Sequence, residues 1–435
     1  MTIRTSPLLP AAAIILLVAT APGRAETTAF VGATILPISG PPIANGTLVV
    51  TDNTIAAVGA RVRVPRNATV VDVAGNVIMP GLVDTHSHIG EVAGGDRSGP
   101  LHPEVRVLDS INIRDAGFKR ALAGGITTAN LMAGSGHLMS GQTIYVKLRD
   151  GNTIESLAYK KEDGSVDGGM KMANGTNSMR EAPFPGTRAK SAALVRQKYV
   201  AAREYMDKIE AADGDEKKMP DRDLGLEAMA EVLKGERVVH HHTHRHDDIM
   251  TVLRLKEEFG FRVVLHHVSE AGRVADEIAA ADVPVSLIIV DSPGGKLEAQ
   301  FLNFDNAPAL ESAGAKVAFH TDDYITDSRL FLRMAALGVR AGMTRDTALR
   351  ALTQSGAEML ELDERVGTLE RGKDADFVIL SGDPFSVYTQ VLETWVEGVK
   401  RFDIDDPDDR AVAEGGYGAL QPSVVHEFHG YGEWH

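Results

Sequence analysis

The 15 histidines of this chain are not spread evenly along its 435 residues. They gather, with carboxylates, where short apolar runs meet polar ones. The first place is Val83-Asp84-Thr85-His86-Ser87-His88, directly after Pro80-Gly81. In an extended chain residues i and i+2 point to the same side, so His86 and His88 face one point at a strand end. Two neutral imidazoles converging there suit Zn²⁺ or a similar divalent ion. The second place is His240 to His246, five histidines in seven residues after Val238-Val239. Alternation puts His240, His242 and His244 on one face. His242 is the favoured ligand there and His244 its rival, while a solvated metal-sequestering tract is the bland alternative. The third is Leu265-His266-His267-Val268-Ser269-Glu270, where one of the histidine pair faces inward and His267 is preferred. The fourth is Phe319-His320-Thr321-Asp322-Asp323. Asp322 is the metal-proximal carboxylate there; its structural alternative is an N-cap for a helix starting near Arg329.

The elements that must position these groups alternate. Apolar runs such as ITTANLM, TIYVKL, GMKMA, RVVHHH, RVVLHHV, PVSLIIV and KVAFHT are separated by helical stretches such as SAALVRQKYVAAREYMDKIEA and RDTALRALTQSGAEML. Strands alternating with helices predict βαβ units and a parallel sheet. Counting the strand that ends at His86 gives about eight, which fits a closed (β/α)₈ TIM-type barrel over residues 79–361. Catalytic groups at C-terminal strand ends are the expected arrangement of such a barrel. Short β-branched runs broken by Gly, Pro and Asn fill 26–78 and return over 362–403. They predict a small β-sandwich assembled from the N- and C-terminal segments, so the fold class is α/β with two parts. Residues 404–435 read as a polar, surface-packed tail. Residues 1–25 have Arg4, an apolar run from Leu8 to Ala21 and small residues at Gly23 and Ala25. That is the shape of a secretory signal peptide and predicts a periplasmic or secreted protein with no membrane attachment after cleavage.

Composition narrows the chemistry. With no cysteine, a disulfide scaffold, thiolate zinc sites, iron–sulfur clusters and a Cys nucleophile are excluded. Lys and Arg number 45 against 60 Asp and Glu, a net charge of −15, which argues against nucleic-acid partners. No Ser-His-Asp grouping sits at nucleophile-elbow spacing. GSGHLMSGQ (134–142) lacks the Lys-Ser/Thr of a P-loop and reads as a turn.

Taken together, IMPGLVDTHSH, AGGITTANLM, HHHTHRHDDI, LHHVSE, FHTDD and the closing GTLERGKDADFVILSGDP resemble the amidohydrolase superfamily, in its imidazolonepropionase-like branch. The resemblance covers roughly residues 28–403. It implies one or two divalent metal ions, Zn²⁺ being the expected identity, and hydrolysis of a C–N bond in a small-molecule substrate. Carried over by position, it implies a first metal on His86, His88 and Asp322 and a second on His242 and His267. It also implies a carboxylated lysine between them: Lys171 in GGMKMA, with Lys147 in YVKL as competitor. Asp322 and His267 become the catalytic pair. Arg245 could clamp a carboxylate, and His244, Tyr145 and His137 could line the substrate pocket. An amide, cyclic amide or dipeptide is the substrate class. A catalytically idle periplasmic metal-binding protein and an exported partner-binding module are the competing functions, and a homo-oligomer is compatible with all three.

Overall fold

The computed structural model describes residues 26–288 and 296–415. The expected signal segment and the last part of the expected tail lie outside them.

The chain ends meet in one sheet. Its eight strands run in the order Val399–Asp403, Val391–Val396, Phe377–Leu380, Val77–Pro80, Thr27–Ile35, Ile43–Thr51 and Thr54–Gly59, with Thr69–Asp72 beside Thr27–Ile35. The join is antiparallel, Phe377 opposite Pro80 and Leu380 opposite Val77. Phe30, Phe377 and Trp395 lock its apolar side, with Phe377 and Trp395 stacked at 5.5 Å and Phe30 edge-on at 5.0 Å to each. The ladders connect segments from the N- and C-terminal parts of the described chain into a single sheet. The tail begins with a helix, Pro407–Glu414, whose Val412 packs against Ala123 and Phe402.

Pro80-Gly81 passes the chain from this sheet into the next. A side chain at Gly81 would meet the Thr127 hydroxyl at 2.2 Å, so only glycine allows the crossing. Leu82–Ser87 follows and pairs in parallel with Ile126–Leu131, which pairs antiparallel with Ile144–Lys147. A six-stranded sheet holds the other site strands: Val317–Phe319, Val285–Leu287, Val263–His267, Val239–Thr243 and Met170–Ala173 in parallel, then Met139–Gln142 antiparallel. The parallel strands are buried along their whole length, as sheets covered on both faces are. The two sheets are tied at one edge, where Asp322 N donates to the His86 carbonyl at 2.9 Å and His88 N to the Asp323 carbonyl at 3.0 Å.

All eight expected site strands are present. Two features depart from a uniform parallel series: Ile144–Lys147 runs antiparallel, and Met139–Gln142 is an additional strand. Helices cover the sheets. The longest, Arg188–Ala212, is capped by the Thr187 hydroxyl and buries Tyr199 in a stack with Phe259 and Phe261. Among the described residues no helix is long and apolar enough to cross a membrane.

Candidate metal centre

His86, His88 and Asp322 converge. Asp322 Oδ1 lies 3.2 Å from His86 Nε2 and 2.9 Å from His88 Nε2. Ligands held tetrahedrally at about 2.0–2.1 Å from Zn²⁺ sit about 3.3 Å from one another, so the spacing fits a shared ion. The tautomer sharpens this. His88 Nδ1 lies 2.7 Å from the Met132 carbonyl, an acceptor only, so that nitrogen carries the hydrogen. His88 Nε2 faces the Asp322 carboxylate at 2.9 Å, and the bond to the carbonyl orients the ring as metal-ligating histidines are usually oriented.

Burial works to raise the Asp322 carboxyl, but the imidazoles of His86, His267 and His88 around it hold it well below the usual carboxylate range. Burial also keeps His86, His242, His266 and His267 well below the ordinary imidazole value and drops His244 and His320 to about 3. The cluster is therefore a set of neutral imidazoles around one carboxylate, the protonation state a metal requires. His267 Nδ1 sits 3.0 Å from His320 Nε2 and 3.9 Å from Asp322 Oδ2. His86, His267 and His320 form a second candidate ligand triad, with donor atoms within 4.8 Å of one another. The backbone is strained here, with φ of 71° at His267, 40° at Val268 and 52° at Asp322.

The two lysines separate cleanly. Lys171 is fully buried, its Nζ 3.0 Å from His86 Nε2 and 3.2 Å from Met132 Sδ, and burial pulls it down to about 7 against the opposing charge of Asp322. Lys147 instead lies among Asp374, Asp376 and Glu397. Burial works to lower its ammonium, but Asp376 and Asp374 beside it carry it above the usual lysine range. Only Lys171 stands at the cluster. The reading of Asp322 as a helix cap also gives way: Asp327 caps Arg329 and Asp323 receives Ser328.

The His-rich tract is no solvated tail. His240, His241, His242 and His244 are all buried, and only His246 among its five is substantially open, bonded to Glu270. His242 and His244 lie edge to face at 4.6 Å, and His242 is 4.5 Å from the His267 ring.

Three expected pocket residues sit elsewhere. Tyr145 is on the antiparallel strand, so its place along that strand is reversed relative to the site strands. Its hydroxyl meets His240 Nε2 at 2.9 Å inside a closed apolar cluster. His137 bonds the Asp96 carbonyl and packs between His102 and Phe184. Arg245 is the residue before the His246–Phe259 helix and forks onto Asp247 at 3.0 and 2.8 Å. The contacts of His137 and Arg245 do not reach the cluster, and Tyr145 reaches it only through His240 and His266.

Several participants were not singled out by sequence. His320 and His266 add two inward imidazoles; His266 Nδ1 lies 3.2 Å from His86 Nδ1, and His266 Nε2 3.0 Å from His240 Nδ1. Asp84, buried and pushed up to about 7 by that burial, binds the Thr321 N–H and hydroxyl and so ties the first strand to the last. Glu298 approaches from the segment after Val285–Leu287.

Comparison with known proteins identifies the family. The sequence pattern described as the Amidohydrolase family matches residues 190–401. The crystal structure of an amidohydrolase from Thermotoga maritima MSB8 superposes with a TM-score of 0.80 at 32% identity, covering 86% of this chain and all of that one. An imidazolonepropionase of Bradyrhizobium sp. strain BTAi1 is 27% identical over 350 residues, 71% of this chain and 80% of that protein. The amidohydrolase tasK of Hapsidospora irregularis is 26% identical over 374 residues, 79% of this chain; the chain spans only 38% of that relative's length. This chain belongs to the amidohydrolase superfamily.

Proposed function

We propose that this protein is a metal-dependent hydrolase that opens a C–N bond of a small amide, cyclic amide or dipeptide. One observation carries the reading: the half-buried Asp322 carboxylate faces the Nε2 of His88 and the Nε2 of His86, within the spacing of a shared divalent ion. The relatives named amidohydrolase and imidazolonepropionase support the bond class.

His86, His88 and Asp322 would hold the ion, with His267 and Lys171 beside it. A divalent cation there supplies a lowered water pKa, about 7 in well-studied cases, and polarises a carbonyl. The chain's own groups do the rest. Asp322, kept ionised by its imidazole surroundings, is competent to take a proton from the attacking water and deliver it to the leaving nitrogen. His267, neutral and packed against His320, lies 3.9 Å from the far oxygen of the carboxylate and would polarise the scissile carbonyl. Buried walls around these groups exclude bulk water and strengthen each of these interactions.

The two site-bearing sheets are read here as arcs of one (β/α)₈ barrel over 79–361, with 26–78 and 362–403 as a second, β-sandwich part. The hydrogen bonds between the His86–His88 and Asp322–Asp323 segments support that closure. The leader-like composition of residues 1–25 supports export to the periplasm or beyond, and N-terminal sequencing of the protein from cell-envelope fractions tests it.

The functional test joins metal analysis to a substrate screen. Purified protein is assayed against N-acyl amino acids, dipeptides, lactams and lactones, before and after chelation. Hydrolysis that vanishes with the metal and returns on adding Zn²⁺ is the expected result. Turnover indifferent to chelation, or tightly held metal with no turnover on any C–N substrate, would sink the proposal.

A further inference from the structure

Several cations stand near the cluster, and most are engaged. Arg188 bridges Asp248 at 2.8 Å and Glu298 at 3.1 Å. Arg245 forks onto Asp247, and Lys171 Nζ lies 3.0 Å from His86 Nε2. Lys296 differs. Among the described residues its ammonium makes no hydrogen bond and closes no ion pair.

Its place is the rim of the site. Lys296 precedes the short turn Leu297–Ala299, with extended backbone at φ −111° and ψ 134°. Leu297 points out, 81% exposed, and Glu298 points in, 5% exposed. The Glu298 carboxylate comes within 4.8 Å of ring nitrogens of His242 and His244. Its Oε2 accepts the Thr176 N–H at 2.9 Å and the Arg188 guanidinium at 3.1 Å, so it is held from behind. Lys296 itself is exposed to solvent. The ammonium at its end is nevertheless crowded enough for burial to pull it below the usual lysine range, with Asp322 and then Glu298 opposing. Its charge is felt at His242, His244 and Lys171. The stem is therefore wet, and the head reaches toward the strand ends that carry His242, His244 and Asp322.

An ammonium beside a centre built to gather a divalent cation is repelled once that cation binds. An anion brought in by a ligand makes the same placement favourable. The chain as a whole carries a net charge of −15, which works against anionic ligands, so a local cation at the mouth is what would draw one in. Lysine suits that task as a mobile point charge with three donors.

We infer that Lys296 anchors a carboxylate of the substrate, apart from the carbonyl under attack, so that the amide opened at this site is an anionic one such as an N-acyl amino acid or a dipeptide. The clamp that sequence placed at Arg245 passes to Lys296. The inference rests on the reading of the cluster as a hydrolytic centre, and its test separates the two.

Metal-replete, full-length protein is titrated by calorimetry with matched pairs that amide hydrolysis cannot consume: an N-sulfonyl amino acid, and the N-sulfonyl amine of the same skeleton without the carboxylate. Wild type should prefer the carboxylated member by about 10–100-fold, the worth of a hydrogen bond between charged groups. Lys296→Met should remove that preference, and Lys296→Arg, which keeps the charge, should recover most of it. Raising the salt should shrink it in wild type. Equal affinity for the two members in wild type overturns the inference, as does a preference that survives in Lys296→Met. A preference lost in Arg245→Ala and kept in Lys296→Met returns the anchor to Arg245. Hydrolysis of C–N substrates with no carboxylate preference overturns the inference and leaves the proposed function standing. A Lys296-dependent preference in a protein that hydrolyses no C–N substrate sustains the anchor and sinks that function.

Discussion

Lys147 and Lys171 are both buried lysines on short strands, and their surroundings are opposites. Around Lys147 the charges are paired: Asp374, Asp376 and Glu397 surround the ammonium, Arg365 pairs with Asp374 at 2.7 Å and Arg149 with Glu397 at 2.7 Å, and Asp376 Oδ2, which makes no hydrogen bond, still lies 3.0 Å from the ammonium. Around Lys171 the groups are left short of partners, with both nitrogens of His242 and one each of His244 and His267 bare. The first region joins the terminal sheet to the strands that follow it. The second spends stability on donor atoms that await a ligand. A satisfied ionic network marks architecture and an unsatisfied one marks a site.

The sharpest way to break that contrast is at Asp322. Asn keeps the shape and tolerates the left-handed backbone at φ 52°. Asp322→Asn should lower kcat/KM by about 10⁴-fold or more, since it removes both a ligand and the proton carrier, while circular dichroism and melting of the metal-free protein stay unchanged. A variant with more than a tenth of wild-type activity would end the assignment.

The lysines come next and should behave oppositely. Lys147→Met strands the buried Asp376 carboxylate, while Asp374 and Glu397 keep Arg365 and Arg149, and should cost about 3–5 kcal/mol in denaturant unfolding. Lys171→Met removes a buried amine with no carboxylate in contact and should leave the metal-free protein as stable or more so, while weakening metal uptake at the His86 group. Equal destabilisation by both would erase the distinction between the regions.

The sequence could not make that distinction, because YVKL and GMKMA present the two lysines alike; the carboxylates that claim Lys147 lie more than 220 residues away. What it did show clearly was local. His86 and His88 follow from a period of two on one strand, and Asp322 from its place after an apolar run. The pair His266-His267 shows where that reasoning stops. Strict alternation sends one ring inward, but the positive φ of His267 ends the extended geometry, and both rings turn into the cluster. Tyr145 stands behind His240 for a related reason, since nothing in TIYVKL reveals that its strand runs antiparallel. Glu298 carries no local pattern at all. Only the fold brings it to His242 and His244.

A subtler test uses pH. His241 is buried on the opposite side of its strand from His242, and burial lowers it to about 4. A histidine depressed in the folded state stabilises the fold fully above the unfolded value near 6.5 and loses that contribution as pH falls toward 4. Metal-free wild type should therefore lose about 2–3 kcal/mol through this group between pH 6.5 and 4. His241→Gln should flatten the dependence by that amount in urea titrations at the two pH values. An unaltered slope would show that the ring is reached by water.

The smallest effect is expected at Arg245, and it probes the rim of the same contrast. Its side chain is 39% exposed and already forked onto Asp247, an exposed pair of the kind that contributes little to stability. A guanidinium so engaged is a poor clamp for a substrate carboxylate, because binding would first break a bidentate contact. Arg245→Ala should change unfolding free energy by less than about 0.5 kcal/mol and kcat/KM on an N-acyl amino acid by less than about threefold. A rise in KM of about tenfold or more for carboxylate-bearing substrates, absent for neutral amides, would instead show that Arg245 leaves Asp247 to meet them and belongs to the site after all.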